Sequence, residues 1–470
     1  MPLQQQIHAQ LVQWIGQGRL FPGLRLPSTR KLSEALGVSR NTVTAVIEQL
    51  KAEGFVECQV GRGSFIAQDL PVMGLNTSLL NANAESDLPQ LSYIAEELTS
   101  VNVRQHNQVF PFTPGVPDLA NFPHNIWQRL WRRHQDRTLL MGYDDDQGYL
   151  PLREALTQYL RVSRGVNCSP EQILITQGAQ QAISLCAQLL LHAGDTVLHE
   201  NPGYQGAKNA FLMSRAKMVT VPLKEQVLDV DWIIQQGKKT GNAKLMYTCP
   251  THQYPMGGLL SASQRLALLN WSHANRVWII EDDYDSEFYF SHKPIASMQG
   301  MTEKNNVIYM GSFSKTLFPG LRLGYLVLPK QLINYFTIAK SFTSGESALL
   351  PQAVIADFIE EGHFARHLRR MRQLYKNKWT HFEALIKEHL SGRVSIIAES
   401  AGMHLALEIQ GVDDLELKAE LERKGFGCSA LSSYYQGSPE KIGLVLGFSN
   451  TAEEQRIELV NELKKLLKHD

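Results

Sequence analysis

Between Leu3 and Gln17 apolar side chains fall at Ile7, Leu11, Trp14 and Ile15, the period of a helix that buries one face. Phe21–Pro27 interrupts that period with two prolines and a glycine. Ser28 then reads as the N-cap of a short helix stopped by Gly37, and Ser39 as the cap of another over Arg40–Glu53. The second of these turns Val43, Val46, Ile47 and Leu50 inward. Strand-like runs follow at Phe55–Val60 and Ser64–Ile66, joined through Gly61-Arg62-Gly63 as a hairpin. Two helices across a tight glycine turn, followed by such a wing, predict a helix-turn-helix domain over residues 1–67.

Residues 68–108 lose this order. The part through Pro89 is rich in Asn, Ser, Leu and Ala without a period, and Leu91–Val103 predicts a short helix. The stretch reads as a linker that lets two domains move separately. From Val109 apolar runs recur at Ile173–Ile175, Thr196–Leu198, Met218–Val221, Lys244–Tyr247, Val277–Ile280, Val307–Met310 and Tyr325–Leu328, with helical periods between most of them. That pattern predicts an α/β domain over 109–470 with a mainly parallel, seven-stranded sheet covered on both faces. Long helices are expected from Lys330, then a small α+β domain around Val394–Asp470.

Composition changes this picture only locally. Over 470 residues, 46 Lys and Arg balance 46 Asp and Glu, so whole-chain charge points to no partner. The first 67 residues carry seven basic against four acidic side chains, a net of +3 that permits nucleic-acid binding. The 5 cysteines are far apart with no CxxC spacing, which implies reduced thiols, a cytoplasmic setting and no metal site. No apolar run is long enough for a membrane span, and the N-terminus does not read as a signal peptide.

Candidate chemistry concentrates between Met141 and Tyr325. A strand-like run leads into Gly311–Tyr325, where Ser312 and Ser314 precede Lys315 and Arg322 follows. A lysine among small and apolar residues loses its proton readily and can form a Schiff base, while the two hydroxyls and the guanidinium can clamp a phosphate. Upstream, Gly178-Ala179-Gln180 turns from strand to helix, a seat for a phosphate. Tyr204 presents a ring for stacking, and Tyr143 lies in a loop ahead of Gly148. A carboxylate of Glu281-Asp282-Asp283-Tyr284, at a strand's carboxyl end, can pair with a pyridine nitrogen, and Tyr284 can reach a ring oxygen. Together these are the needs of pyridoxal 5′-phosphate (PLP). In the head, Ser39-Arg40-Asn41-Thr42, Thr44 and the wing's Arg62 suit base edges and phosphates of duplex DNA.

The string PGLRLPSTRKLSEALGVSRNTVTAVIEQLKAEGFVECQVGRGSFI resembles the winged-helix domain of the GntR family along its whole length. By that likeness Arg25, Ser28, Arg30, Ser39, Arg40, Asn41, Thr42, Thr44 and Arg62 are the expected DNA contacts. Residues from Val109 onward resemble the fold-type I, class I aminotransferases, and the union resembles the MocR subfamily of transcriptional regulators. FTPGVPDLANFP, GYDDDQGYLPLREAL, HENPGYQGA, THQYPMG, EDDYDSEF and GSFSKTLFPGLRLGY carry that likeness.

The resemblance implies PLP in a Schiff base with Lys315, Asp282 at the pyridine nitrogen with Asp283 as fallback, Tyr284 at the ring oxygen and Tyr204 stacked. Gly178, Ala179, Gln180, Ser312, Ser314 and Arg322 then hold the phosphate. Tyr143 reaches the phosphate of the other subunit, so a homodimer is implied.

The chain departs from the pattern twice. Tyr254 stands where such enzymes have a ring-oxygen asparagine, with His252 or Gln253 as stand-ins. Val445 stands where an arginine clamps the substrate carboxylate, which argues against efficient transamination of ordinary amino acids.

The expected function is a PLP-binding transcriptional regulator that senses PLP or a small amine or amino-acid effector and binds a DNA operator. Its rivals are a working aminotransferase with an accessory DNA-binding head and a regulator whose pocket is only a dimerisation scaffold. The basic run Glu361–Trp379 reads as a solvated helix face, or else as a second DNA-facing patch or dimer contact.

Overall fold

The computed structural model describes residues 2–59, 62–70, 92, 95, 109–236, 242–290, 295–303, 306–397 and 401–467. The expected 68–108 linker, its Leu91–Val103 helix and part of the wing turn (Val60, Gly61) therefore fall largely outside the described residues. The chain divides into two compact units, Met1–Asn102 and Val103–Asp470.

In the smaller unit α1 (Leu3–Gly16), α2 (Thr29–Leu36) and α3 (Arg40–Ala52) precede β1 (Val56–Gln59) and β2 (Gly63–Ile66). Ser28 accepts from the Lys31 N–H and Ser39 from the Thr42 N–H, so both expected caps form. Gly37 ends α2 at φ +65°, a conformation that costs glycine nothing. β1 and β2 pair antiparallel, Val56 opposite Ile66. The faces meet on Leu11, Ile15, Leu26, Val43, Val46, Ile47, Leu50, Val56 and Ile66. Burying each such side chain contributes about 1.5–3 kcal/mol, enough for a small core that leaves the start of α3 exposed.

The larger unit is built on an eight-stranded sheet in the order β3-β10-β9-β8-β7-β4-β5-β6. Its strands are β3 (Ile173–Thr176), β4 (Thr196–Asn201), β5 (Lys217–Lys224), β6 (Val227–Leu228), β7 (Ala243–Thr248), β8 (Trp278–Asp282), β9 (Val307–Ser312) and β10 (Gly324–Val327). The seven expected strands are all present. β6 adds a two-residue antiparallel return from β5, too short to leave a periodic signal. β5, β4, β7, β8 and β9 are parallel, whereas β10 runs antiparallel to both β9 and β3. Strands buried on both faces read as unbroken apolar runs: Ile173 and Ile175 enter one core and Leu174 the other.

This topology gathers the site. The carboxyl ends of β3, β4, β7, β8 and β9 lie along one edge of the sheet, and β10 starts there, with Gly324 opposite both Thr176 and Ser312. After β10 come helices Ile333–Ser344, Leu349–Glu360 and His363–His389. A four-stranded antiparallel sheet follows, β11 (Val394–Ile396), β12 (His404–Ile409), β14 (Gly443–Gly447) and β13 (Ser429–Ala430) in spatial order, with helices Asp414–Arg423 and Glu453–Leu466. The segment before the first helix of this unit is tied to that small sheet, Gly447 N–H donating to Phe112 O at 2.8 Å and Gly427 N–H to Pro111 O at 2.6 Å.

Behind the sheet edge lies a buried ion pair. Arg164 donates to both oxygens of Asp283, at 2.6 and 3.1 Å, and Tyr309 donates to the same carboxylate at 2.6 Å. Although burial opposes ionisation, the guanidinium and the hydroxyl hold Asp283 below the usual aspartate range. Arg164→Ala is expected to cost about 3–5 kcal/mol in urea unfolding, because a buried carboxylate is left without its counter-charge. Since the folded pKa is depressed, the pair stabilises at neutral pH and its contribution fades as pH falls through the carboxylate range. An unfolding curve unchanged by the substitution at pH 7 contradicts this.

Candidate functional site

Lys315 rides on the one-turn helix Phe313–Thr316, directly after β9, with Ser312 Oγ accepting from Ser314 N–H to fix the turn. Its Nζ donates to the Gly115 carbonyl at 2.8 Å. Gly115 takes φ +77°, where any other side chain is strained, and a Cβ there would stand 2.3 Å from that nitrogen and push the amine aside. Gly115 belongs to the segment tied to the small sheet, and sequence reasoning passed over it.

One strand over, Asp282 ends β8. Tyr247 is its only hydrogen-bond donor among the described residues. Burial pushes the Asp282 carboxyl up to about 7; Asp283 and Asp285 reinforce this, while the Tyr247 bond and the Lys315 charge oppose it. Asp283, the alternative of the pair, points to the opposite side and is consumed by Arg164 and Tyr309.

Tyr204 stands beside Tyr247 with ring centroids 6.4 Å apart and planes 24° off parallel. Its ring also covers Gly206, where a Cβ would lie 2.5 Å from ring atoms. Gln180 donates to the Gly206 carbonyl at 2.9 Å, so its side chain anchors that turn and only its backbone N–H remains for an anion. Arg322 is exposed at φ +50°, a strained value for arginine, and its Nη2 donates to Gln177 O at 3.4 Å. The open Cβ position of Gly178 lies 3.8 Å from the Arg322 guanidinium carbon. Gly178, Ala179, Ser312, Ser314 and Arg322 thus stand at or next to the neighbouring ends of β3, β9 and β10 along the sheet edge. Tyr143 is 93% exposed.

The two stand-ins for the missing asparagine part company. Gln253 is buried with its amide donating to Glu200, Pro202 O and Tyr254 O, all at 2.9–3.0 Å. His252 instead has Nδ1 3.0 Å from the Tyr284 hydroxyl and 2.9 Å from Asp285 Oδ2. His252, Asp285 and His404 also offer ligand atoms within 4.8 Å of one another, a grouping invisible in the linear chain. Val445 is fully buried in a cluster with Met256, Ala406, Leu431, Tyr434 and Tyr435, while its neighbours Leu444 and Leu446 face the other core. An aromatic wall, in which Tyr254 packs edge-on against Tyr204, Tyr284, His404 and Tyr434, lies beside it.

In the head, Arg25, Ser28, Arg30, Ser39, Arg40, Asn41, Thr44 and Arg62 are exposed and Thr42 is half-buried. Ser39 and Thr42 bond each other through their hydroxyls at 2.7 Å, and Thr44 turns its hydroxyl back to Arg40 O. On helix His363–His389 the basic run is largely committed. Lys378 pairs with Asp118, Arg372 donates to Glu287 O, Arg370 to Asn121 O and Arg366 to Glu361 O. Of its six cations only Lys378 meets a carboxylate among the described residues, and Arg369 and Lys376 have neither hydrogen bond nor ion pair there.

The donor set fits PLP: an amine and a buried carboxyl at the ends of neighbouring strands, an aromatic face, and a helix N-terminus with an arginine beside it. Residues 3–66 match the family "Bacterial regulatory proteins, gntR family" and 109–441 match "Aminotransferase class I and II". The chain is 36% identical, over 99% of its length and 93% of the relative's, to a Rhizobium meliloti protein described as "probable rhizopine catabolism regulatory protein MocR". It is 28% identical, over 96% of its length and 92% of the relative's, to the pyridoxine biosynthesis transcriptional regulator PdxR of Corynebacterium glutamicum. Among solved structures, an archaeal alanine:glyoxylate aminotransferase superposes with TM-score 0.74 and 25% identity, covering 83% of this chain and all of that one. The chain therefore belongs to the MocR-type GntR regulators: a PLP-binding transcriptional regulator whose aminotransferase class I and II domain follows a helix-turn-helix head.

Proposed function

We propose that residues 109–470 sense PLP, or a small amine held with it, and pass its state through the 68–108 linker to an operator-binding head, 1–67. The observation that carries the reading is that Lys315 and Asp282 stand at the ends of neighbouring strands, with Tyr204 next to the Tyr247 that bonds Asp282 and with Gly178 and Arg322 close together at the same sheet edge. PLP, when bound, supplies an aldehyde for an amine and a ring that draws electrons from it. Lys315 is its covalent anchor. Asp282 faces the ring nitrogen; a carboxyl poised by burial ionises readily when a cation arrives. Tyr284 faces the ring oxygen. Gly178, Ala179 and Gln180 give backbone N–H groups to the phosphate, and Ser312, Ser314 and Arg322 complete its seat.

Two copies are needed in this reading. Leu139, Met141 and Tyr143, and on helix Ile333–Ser344 Tyr335, Ile338 and Phe342, leave large apolar side chains in solvent, as a buried homodimer face would. Tyr143 then completes the phosphate site of the second copy. The head reads DNA through Arg40, Asn41, Thr42 and Thr44 at the start of α3, and Arg25, Ser28, Arg30, Ser39 and Arg62 hold the backbone. Among the described residues no helix is long and apolar enough to cross a membrane, in keeping with a cytoplasmic site of action. Ligand binding shifts the population of effector-domain states, and the linked heads follow.

The reading is tested first by absorbance. PLP added to the full chain is expected to give a visible band that Lys315→Ala abolishes, and Asp282→Asn is expected to weaken binding and move the band. A band that survives Lys315→Ala refutes the site. Arg40→Ala is expected to weaken operator binding by about 1–3 kcal/mol if it reads a base, or to flatten its salt dependence if it meets phosphate. Identical isotherms across salt concentrations remove Arg40 from the interface.

Val445 bears on the aminotransferase alternative. Turnover of common amino and 2-oxo acid pairs is expected to be far below that of a dedicated aminotransferase. Val445→Arg is expected to lower Tm, because the new guanidinium enters a packed cluster, and to leave amino-acid affinity unchanged. Fast wild-type conversion of the bound cofactor by an ordinary amino acid moves the enzyme reading ahead.

A further inference from the structure

The relation of His252 to Tyr284 has a chemical consequence. His252 is 3% exposed and Asp285 2%, and His252 Nδ1 lies 2.9 and 3.1 Å from the two oxygens of that carboxylate. Two lone pairs cannot face each other at this distance, so a proton lies between them, and on the imidazole it makes Nδ1–H the donor. The same Nδ1 lies 3.0 Å from the Tyr284 oxygen. An N–H there can only be accepted by that oxygen, so the phenolic proton of Tyr284 is turned away from His252. The assignment also accounts for Nε2, which is buried without a partner: in this tautomer it is a bare acceptor, not a stranded N–H.

The arrangement is closed from the other side by Gly402, at φ +70°. A Cβ there would fall 2.2 Å from His252 Cε1 and 2.6 Å from Asp285 Oδ2. Nothing larger than glycine leaves the imidazole in place. The groups facing Tyr284 and His252 are Asp285, Asp282, Cys249, Tyr254 and His404. Gln253, the adjacent amide, is spent on Glu200 and two carbonyls and cannot substitute.

We propose that His252, held by Asp285, is a positioning residue that aims the Tyr284 hydroxyl proton at the oxygen of a bound pyridoxal ring, taking over the directing task for which Tyr254 offers no amide. This rests on the cofactor reading above. It extends that reading from the residues touching the ring to a pair that acts through one of them.

A hydrogen bond to the ring oxygen favours its anion most when the imine nitrogen at Lys315 has lost its proton. That donor therefore lowers the pH at which the bound cofactor changes colour. In holoprotein His252→Ala is expected to move the midpoint of the absorbance titration upward by roughly half to one pH unit. His252→Asn, which can place an N–H near the old Nδ1, is expected to return much of the shift, and Gly402→Ala to reproduce the shift by displacing the ring. Tyr284→Phe is expected to shift the midpoint upward at least as far, and His252→Ala added to it to do nothing more.

A midpoint that moves with Tyr284→Phe but not with His252→Ala overturns the proposal, as does full additivity of the two. A holoprotein spectrum that Lys315→Ala leaves intact defeats the underlying cofactor reading instead.

Discussion

Two adjacent aspartates at the end of β8 set the terms for the whole site. Successive residues of a strand face opposite sides of the sheet, so Asp282 and Asp283 meet different environments although they are chemically identical. Asp283 turns toward Arg164 and Tyr309 and is held ionised as a fixed internal charge. Asp282 turns toward Tyr247 and the Lys315 side and is left to burial, which raises its carboxyl to about 7. That charge difference makes Asp283 an internal strut and leaves Asp282 the carboxyl suited to receive a cation. The parallel strands then decide what stands beside it, because β9 delivers Lys315 at the same edge.

The second constraint is what the site lacks. Val445 is sealed into an apolar cluster with Tyr434 and Tyr435, beside a wall in which Tyr254 touches four other rings. Such a wall favours flat or apolar ligand parts over a free carboxylate, which needs a paired cation once desolvated. The fold is that of an aminotransferase, and at Val445 it offers an apolar side chain in place of a cation.

Much of this was legible in the chain. The caps at Ser28 and Ser39 are local events, one side chain bonding a backbone N–H three residues on, so the sequence shows them directly. The buried strands announce themselves as unbroken apolar runs. β6 does not, because two residues carry no period. The choice between Asp282 and Asp283 was hidden because it depends on which face each strand residue meets, and both partners of Asp283 come from other elements. Gly115 lies 200 residues from the lysine it supports, and His252 33 residues from Asp285. Only folding brings such pairs together, and nothing in their local spacing marks them.

The decisive question is which lysine forms the covalent bond to PLP, and the chain contains its own control. Lys208 is a buried lysine, its amine lowered to about 8 by burial and donating to the Tyr434 carbonyl. It is chemically competent to react with an aldehyde yet lies outside the proposed seat. The full chain should be incubated with PLP, reduced with borohydride, digested and mapped by mass. One phosphopyridoxyl group per chain is expected, on the peptide that contains Lys315. Label on Lys208, or spread over surface lysines with Lys315 unmodified, contradicts it.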